Sequence, residues 1–131
     1  MTRPTCVLDA SAVLAWLFQE PGVKAVDDAL PASALSTVNL SEVLYRAAEE
    51  GLDTATMPQD FESLGITLVP FEVADARLVE EVRRVGRTQK IALSLGDCCC
   101  LATAMRMKLP VVGADRAWRS LRLGINVRLI R

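Results

Sequence analysis

Four acidic residues are spaced along the chain so that their carboxylates could share one site. Two follow apolar runs directly and two lie near the starts of predicted helices; in chain order they are Asp9, Glu42, Asp97 and Asp115. Carboxylates brought close together repel one another, so they must take up protons or bind a cation. Because hard cations prefer oxygen ligands, the set predicts a site for Mg²⁺ or Mn²⁺.

The chain contains no histidine, and this absence narrows the chemistry further. Ser-His-Asp and Cys-His catalysis, histidine-ligated zinc and histidine general bases are all excluded. An enzyme built from this sequence must use carboxylates, a thiol, a lysine or a bound metal. Among these, water activated by a metal ion is the nucleophile that the acidic set favours.

The four cysteines do not form a recognisable metal or disulfide motif. Three of them are consecutive and no CxxC pair occurs; the four are Cys6, Cys98, Cys99 and Cys100. Consecutive residues on a helix point about 100° apart, so three adjacent thiolates match a tetrahedral zinc site poorly. We predict that all four are small, buried, apolar residues in a reducing compartment.

Short apolar runs alternate with helical patterns over the whole chain. The predicted strands are residues 5–8, 34–38, 66–70, 109–113 and 127–130. The predicted helices are residues 10–19, 23–30, 40–50, 54–64, 72–84, 95–108 and 115–121, with a polar loop at 86–93. This alternation predicts an α/β fold, in which a short, mainly parallel sheet of four or five strands carries helices on both faces.

The four acids could instead serve only as helix caps. Glu42 and Asp97 each fit a capping-box pattern, with Asn39 and Ser94 as the respective N-caps. The other two acids could be plain N-caps. Capping, however, does not require the helix starts to converge. In a parallel sheet, ligands bind outside the carboxyl ends of the strands, where all four acids can meet at one edge.

Length, composition and charge describe a small globular protein. A chain of 131 residues with 51% apolar and 24% charged residues predicts a single domain over residues 1–131. The net charge of −1 means that any binding of nucleic acid must come from local basic patches. No apolar run approaches the roughly 20 residues that a bilayer-spanning helix needs, and the first residues lack the apolar segment of a secretion signal. We therefore expect a cytoplasmic protein without a membrane segment.

Three stretches of the sequence resemble the motifs of one nuclease family. The opening VLDASAVLAWLFQEPG carries Asp9, and NLSEVLYR carries Glu42. The stretch LSLGDCCCLATAMRMKLPVVGADRAW carries Asp97 and Asp115. In order, spacing and local context, these stretches resemble the PIN-domain nucleases, and most closely the VapC toxins of bacterial toxin–antitoxin pairs. The resemblance covers nearly the whole chain.

This resemblance implies a PIN-like fold and a divalent-metal-dependent endoribonuclease that stops growth by cutting cellular RNA. The catalytic residues that it implies are Asp9, Glu42, Asp97 and Asp115. Asp9 and Asp97 are expected to be the closest metal ligands, with Asp115 as a further ligand and Glu42 completing the site. The supporting polar residues of the predicted site are Ser11, Asn39 and Ser94.

The resemblance also implies partners and shows one departure. It implies a homodimer and a cognate antitoxin whose tail covers the active site. The family often has Thr or Ser two residues before the last acid, but Gly113 stands there in this chain. The sequence therefore lacks a hydroxyl that could orient a metal ligand or a water.

Two groups of basic residues could hold RNA phosphates beside the acidic edge. The candidates are Arg84, Arg87, Arg116 and Arg119. The alternative is a solvated helix face with surface ion pairs. Trp118 could stack on a base, although packing in the core or in an interface is the expected use. Trp16, Leu17 and Phe18 predict an exposed apolar ridge that suits a partner helix or a second copy of the chain.

Three other functions compete with a nuclease. A phospho-acceptor module needs an acidic pair after the first strand and a late lysine, but Ala10 follows Asp9 and no lysine follows residues 109–113. A haloacid-dehalogenase-type phosphatase needs a second aspartate where Ser11 stands. A catalytically inactive PIN-like module that binds RNA or protein keeps all four acids, and only an assay of metal-dependent cleavage separates it from the nuclease.

Overall fold

The computed structural model describes residues 3–131, and within them five short strands alternate with helices. Met1 and Thr2, the first residues of the predicted domain, lie outside the described part. The strands are β1 (Cys6–Leu8), β2 (Ser33–Ser36), β3 (Ile66–Val69), β4 (Val111–Gly113) and β5 (Val127–Leu129). The helices are α1 (Ala10–Leu17), α2 (Val23–Ala29), α3 (Thr37–Glu49), α4 (Met57–Ser63), α5 (Val73–Gln89) and α6 (Leu95–Met107), with 3-10 helices at Leu30–Ala32 and Arg116–Ser120.

The strands form one parallel sheet in the order β3-β2-β1-β4-β5. β1 lies at the centre, where Val7 is opposite Ala34 of β2 on one side and Val111 of β4 on the other. The strand order reverses at β1, so a crevice opens at its carboxyl end, where the first predicted acid follows. The parallel sheet confirms the predicted fold class.

Helices cover both faces of the sheet. Leu8 and Leu35 belong to a buried cluster with α1 to α4, whereas Val7 and Ala34 belong to a second cluster with α5 and α6. Neighbouring residues of a strand point to opposite faces, so β1, β2 and β4 are buried along their whole length. This burial explains why their sequences are continuous apolar or small runs rather than alternating ones.

Helix α3 begins three residues earlier than predicted. Its N-cap is Ser36, whose Oγ accepts a hydrogen bond from the amide of Val38 at 3.2 Å. The prediction that Asn39 is the N-cap is therefore wrong, because Asn39 lies inside the first turn. Ser36, Thr37 and Asn39 are all residue types that can start a helix, so the local pattern cannot choose among them.

The predicted polar loop at 86–93 is also wrong, because α5 continues to Gln89. Gly86 is buried inside this helix, and a Cβ there would lie 2.8 Å from Cδ1 of Leu93. The glycine thus allows the returning chain to pack closely against the helix. The helix ends at Lys90, which takes the left-handed conformation with a φ of 58°.

A buried ion pair joins α5 to α6. The carboxylate of Asp75 is fully buried and accepts hydrogen bonds from Nε of Arg106 and, at 3.2 Å, from its Nη2. This hydrogen bonding raises the pKa of the Arg106 guanidinium. Removing one partner of a buried pair typically costs about 3–5 kcal/mol of stability. The pair therefore fixes α6, whose first turn carries a predicted acid, against its neighbour.

The four cysteines are free and buried, as predicted. Burial raises the pKa of each thiol, most strongly for Cys100, which lies beneath Asp9 with its Sγ 3.8 Å from the carbonyl oxygen of Leu8. A protonated thiol is a poor metal ligand. The cysteines therefore act as core residues.

The side chains of Trp16, Leu17 and Phe18, where an exposed apolar ridge was predicted, are all half-buried. Trp16 and Leu17 pack against the core, and Nε1 of Trp16 donates to Asp27 at 3.1 Å. None of the helices within residues 3–131 is long and apolar enough to cross a membrane.

Candidate functional site

A cleft of about 340 Å³ opens beside the carboxyl end of β1. Three of the four predicted acids line it, namely Asp9, Glu42 and Asp97. The other lining residues are Ala10, Ser11, Leu14, Tyr45 and Arg46. The junction of β1 with α1, the second turn of α3 and the first turn of α6 therefore bring together side chains that are far apart in the sequence.

Asp9 is the most buried acid of the cleft, with only 6% of its surface exposed. Its Oδ2 caps α1 by accepting hydrogen bonds from the amide of Ser11 at 3.2 Å and from the Ser11 hydroxyl at 2.6 Å. Burial raises the pKa of Asp9 to about 6, against the opposing effect of the Ser11 hydrogen bonds, and the charges of Asp97 and Glu42 add to the rise. The side chain is thus a carboxylate whose charge has few compensating partners.

Ser11 connects Asp9 to the end of β4. Its hydroxyl donates to Asp9 and accepts a hydrogen bond from the amide of Ala114 at 3.2 Å. A Cβ at Gly113 would lie 3.4 Å from Cβ of Asp9 and 3.6 Å from Oγ of Ser11, which are ordinary contacts. Position 113 therefore has room for a side chain, and Ser11 supplies the hydroxyl that contacts Asp9 in this chain.

Glu42 lies in the second turn of α3, one turn later than predicted, because the helix begins at Thr37. Its Oε1 accepts a hydrogen bond from Nδ2 of Asn39 at 2.7 Å. Asn39 is fully buried, and the same nitrogen donates to the carbonyl oxygen of Gly96 at 3.1 Å. Asn39 therefore links Glu42 to the first turn of α6.

Asp97 both caps α6 and lines the cleft. The hydroxyl of Ser94 accepts a hydrogen bond from the Asp97 amide at 3.1 Å, and Oδ2 of Asp97 accepts one from the Ser94 amide at 2.9 Å. This arrangement confirms the predicted capping box. The cap uses one carboxylate oxygen, and the side chain still borders the cleft.

Asp115 is the predicted acid that does not line the cleft. Its side chain is exposed and caps the 3-10 helix Arg116–Ser120, with Oδ1 accepting from the amide of Ala117 at 3.0 Å. The predicted helix at 115–121 is thus this shorter 3-10 turn. Asp115 follows β4, the neighbour of β1, so it stands on the same edge of the sheet as Asp9.

The donor set of the cleft fits a hard divalent cation in its chemistry. Three carboxylates border it, and no salt bridge within residues 3–131 joins any of them to a lysine or an arginine. In the same part of the chain, no three acidic or cysteine side chains are close enough to ligate one ion as they are placed. Each carboxylate uses one oxygen to accept a hydrogen bond from its own segment, and its other oxygen takes no part in these bonds.

The arginines predicted to bind RNA are exposed, but none of them lines the cleft. They are Arg84 and Arg87 on α5, and Arg116 and Arg119 on the 3-10 helix. The cleft instead holds Arg46 and Tyr45, which the sequence analysis missed. Their spacing was the available signal, because residues three and four positions after Glu42 share its helix face. Arg46 is half-exposed with Nε 3.7 Å from Glu49, and Tyr45 is 64% exposed.

Trp118 does not present its ring to a ligand. Only 1% of its surface is exposed, and it packs in the cluster that includes α5 and α6. The expected packing role is therefore confirmed, and base stacking by this residue is excluded. Its indole Nε1 is buried and has no hydrogen-bond partner within the described residues.

Comparison with known proteins gives a family match and several structural likenesses. A family model described as PIN domain matches residues 6–122. None of the curated proteins matches the chain in sequence.

Solved structures share the fold at low sequence identity. DNA-bound VapBC from Salmonella typhimurium matches with a TM-score of 0.75 at 16% identity, covering 100% of each chain. A toxin–antitoxin complex from Klebsiella pneumoniae matches with a TM-score of 0.72 at 16% identity, covering 96% of this chain and 98% of that one. VapBC-5 from Mycobacterium tuberculosis, of the VapBC family of toxin–antitoxin systems, gives 0.60 at 24%, covering 98% and 99%.

Proposed function

The chain belongs to the PIN domain family, and on that premise we propose that it is a divalent-metal-dependent endoribonuclease, the toxin of a type II toxin–antitoxin pair. The observation that carries the proposal is the cleft bordered by Asp9, Glu42 and Asp97, none of which forms a salt bridge within residues 3–131. Such a set is stabilised by a cation, and oxygen ligands favour Mg²⁺ or Mn²⁺.

Each acid has a part in this proposal. Asp9, which follows β1, and Asp97, in the first turn of α6, are the closest metal ligands in this proposal. Glu42 completes the catalytic set from α3, and Asp115 joins from the end of β4, directly or through water. When bound, the cation would neutralise charge at the phosphate and lower the pKa of water, which makes that water easier to deprotonate and so a better nucleophile. Ser11, Asn39 and Ser94 orient the carboxylates through the hydrogen bonds that they form with them.

A single RNA strand is the substrate that the rim of the cleft suits. Tyr45 presents an exposed aromatic ring on which a base can stack. Arg46 is held only by a 3.7 Å ion pair with Glu49 and is therefore available to a phosphate. The exposed arginines on α5 and on the 3-10 helix extend the basic surface for a longer strand, and they are Arg84, Arg87, Arg116 and Arg119.

The partners in this proposal follow from the fold neighbours. The solved structures of like fold include toxin–antitoxin complexes, which supports a cognate antitoxin for this chain. A homodimer and a cytoplasmic location belong to the same proposal, as does a single domain over residues 1–131.

A catalytically inactive PIN-like module that binds RNA or protein is the second candidate. The observation that favours it is that, in the described part of the chain, the acids are not placed to ligate one ion together. The two candidates differ in cleavage, since an inactive module would bind RNA without cutting it.

Cleavage of a labelled single-stranded RNA by the purified chain tests the proposal. We expect cutting in Mg²⁺ or Mn²⁺, none in EDTA, and a loss of at least about a hundredfold in Asp9→Asn, because a ligand oxygen of the metal is replaced. The matched control is Asp28→Asn, which removes an exposed carboxylate paired only with Lys24 at 3.8 Å. This control should cut at the wild-type rate.

Two outcomes would contradict the nuclease. Cleavage by Asp9→Asn at the wild-type rate would show that the site is assigned wrongly or that the activity is a contaminant. RNA binding without cleavage in either metal would favour the inactive module. A parallel assay on single-stranded DNA of the same sequence separates a ribonuclease from a general nuclease.

A further inference from the structure

The first turn of α6 leaves a space that the carboxylate of Glu42 occupies. A Cβ added at Gly96 would lie 2.5 Å from both carboxylate oxygens of Glu42 and 2.6 Å from its Cδ. Atoms that are not bonded do not approach so closely, so a side chain at position 96 and the present position of Glu42 exclude each other. We infer that Gly96 is a positioning residue, whose missing side chain lets Glu42 place its carboxylate against α6.

Asn39 holds Glu42 in this space. Its Nδ2 donates to Oε1 of Glu42 at 2.7 Å and to the carbonyl oxygen of Gly96 at 3.1 Å. The bonds run from one fully buried amide on α3 to the glutamate and to the glycine backbone, so they fix α3, α6 and the carboxylate relative to one another. Asn39 is therefore a second positioning residue for the same side chain.

The chemistry of the partners fixes the orientation of the Asn39 amide. Both of its neighbours, the carboxylate of Glu42 and the carbonyl of Gly96, are hydrogen-bond acceptors, so the nitrogen must face them. The opposite orientation would turn Oδ1 toward two other oxygens. In this orientation Oδ1 of Asn39 is buried and has no hydrogen-bond partner within residues 3–131. The amide therefore forms its bonds to Glu42 and Gly96 while its own oxygen stays unpaired.

The consequence for the cleft, which rests on the proposed function, is that Glu42 of α3 is held against the first turn of α6, which also carries Asp97. An added methyl at position 96 meets only the flexible end of Glu42, so the fold can accept Gly96→Ala by moving that carboxylate. Gly96 lies in a helix and has no left-handed φ, and alanine is favoured over glycine in helices. Gly96→Ala should therefore keep the fold and displace the acid.

The first test measures the position of Glu42 without metal or substrate. The probe is the ¹H–¹⁵N signal of the Asn39 side-chain amide in EDTA, assigned by its absence in Asn39→Ala. We expect Gly96→Ala and Glu42→Ala to shift this signal, because both remove the hydrogen bond to the carboxylate. The matched control is Gly113→Ala, which adds the same methyl beside Asp9 at an ordinary contact distance and should leave the signal unmoved.

The second test measures Mn²⁺ affinity by titration calorimetry in a double-mutant cycle. Gly96→Ala should weaken Mn²⁺ binding by about tenfold, as expected when a residue that orients a ligand is changed. In the Glu42→Ala background the same substitution should change the affinity by less than about twofold, because the side chain that it displaces is absent. Gly113→Ala should bind Mn²⁺ like the wild type.

The outcomes separate this inference from the proposed function. A wild-type chain that binds no Mn²⁺ would contradict the proposed function and leave the amide signal to decide the inference. An Asn39 signal that is unchanged in Gly96→Ala, or an equal loss of Mn²⁺ affinity in both backgrounds, would overturn the inference. If Gly96→Ala does not fold, we examine the double variant with Glu42→Ala. Folding of the double variant would support a clash between the added methyl and Glu42, and a double variant that does not fold would overturn the inference.

Discussion

Asp9 and Asp97 each use one carboxylate both to cap a helix and to border the cleft. A side chain that accepts a bond from helix amides is fixed in direction, and the positive end of the helix favours its negative charge. Capping and a functional site were competing interpretations of the sequence. In the structure the capping carboxylates also border the cleft, so a capping pattern does not argue against a site.

The buried charge of Asp9 predicts a pH-dependent gain in stability for Asp9→Asn. The pKa of Asp9 is raised by burial to about 6 in the folded protein, from the ordinary value of 3.8. The fold therefore favours the protonated form of Asp9. The stability that this preference contributes is fully present below about pH 4 and is lost as the pH rises through 6, where the buried side chain ionises. A rise in pKa of this size lowers the free energy of unfolding by about 3 kcal/mol at a pH well above 6. In EDTA we expect Asp9→Asn to melt several degrees above the wild type at pH 8 and to match it near pH 4.

Thermal unfolding across that pH range, compared with Asp28→Asn, checks this prediction. Asparagine keeps the capping oxygen for the Ser11 amide, so the loss of the charge is the main change. The other ionisable groups are the same in the wild type and in Asp9→Asn. The difference between the melting temperatures of these two proteins therefore reports the ionisation of Asp9. A difference that stays constant from pH 4 to pH 8 would contradict the prediction.

The sequence predicted the acids of the cleft better than its rim. Asp9, Glu42 and Asp97 could be found because they follow strands or stand near helix starts. Tyr45 and Arg46 could not be chosen in the same way, since an exposed aromatic and a basic residue on a helix are common without any ligand. Only the packing of α3 against α6 shows which part of α3 faces the cleft.

At the scale of elements, the five strands and six α-helices of the described residues were all predicted, but several ends were wrong and the 3-10 helix Leu30–Ala32 was missed. Strand and helix periodicity comes from burial, which the sequence carries directly. Helix ends depend on which of several suitable residues is used, as with Ser36 in place of Asn39. The extension of α5 depends on Gly86 packing against Leu93, a contact between positions whose approach no local pattern reveals.

The capping box of α6 predicts a specific loss of stability in Ser94→Ala. The hydroxyl of Ser94 accepts a hydrogen bond from the Asp97 amide, and losing an N-cap typically costs about 1 kcal/mol. The melting temperature should fall by a few degrees. The matched control is Ser41→Ala, where an exposed hydroxyl bonds only to the carbonyl of Thr37 within α3.

The free energy of unfolding of the Ser41→Ala control should stay within about 0.5 kcal/mol of the wild-type value. Because Asp97 bonds to the backbone amide of Ser94, its carboxylate keeps that bond in Ser94→Ala. Thermal melts of the two variants check the prediction. Equal destabilisation by both substitutions would show that the cap contributes nothing particular to α6.

At the scale of the whole molecule, the parallel sheet explains both what meets in the cleft and what does not. β1 and its neighbours end at one edge, and the helices that follow them begin there. Asp9 and Glu42 reach the cleft in this way, and Asp97 reaches it because α6, which follows α5, also begins beside the cleft. Asp115 stands one strand further along that edge and caps its own turn, a separation that motif spacing along the chain does not reveal.

Divalent metal should stabilise the whole fold through this cleft. If Mn²⁺ binds only the folded state, a hundredfold excess over Kd adds about 2.7 kcal/mol, which raises the melting temperature by several degrees. The rise should be much smaller in Asp9→Asn. A variant with alanine at Cys98, Cys99 and Cys100 should start from a lower melting temperature, because buried volume is lost, yet show the full rise.

Thermal scans with EDTA and with Mn²⁺ measure both quantities, and metal analysis of the purified protein adds a second check. A response that disappears in the cysteine variant, together with stoichiometric zinc in the native protein, would move the metal site from the carboxylates to the thiols.

The central position of β1 also determines when the protein can become active during its own synthesis. The ribosome makes β1 about 100 residues before β4, which carries Val111, the partner of Val7. Until β4 has been synthesised, β1 cannot form this pairing, and the elements near β1 lack one of their neighbours. Under the proposed function, a chain whose translation stops before β4 therefore carries the residues that line the cleft but lacks the strand that pairs with β1 beside it. Under that proposal, the nuclease completes its sheet only after β4 has been translated.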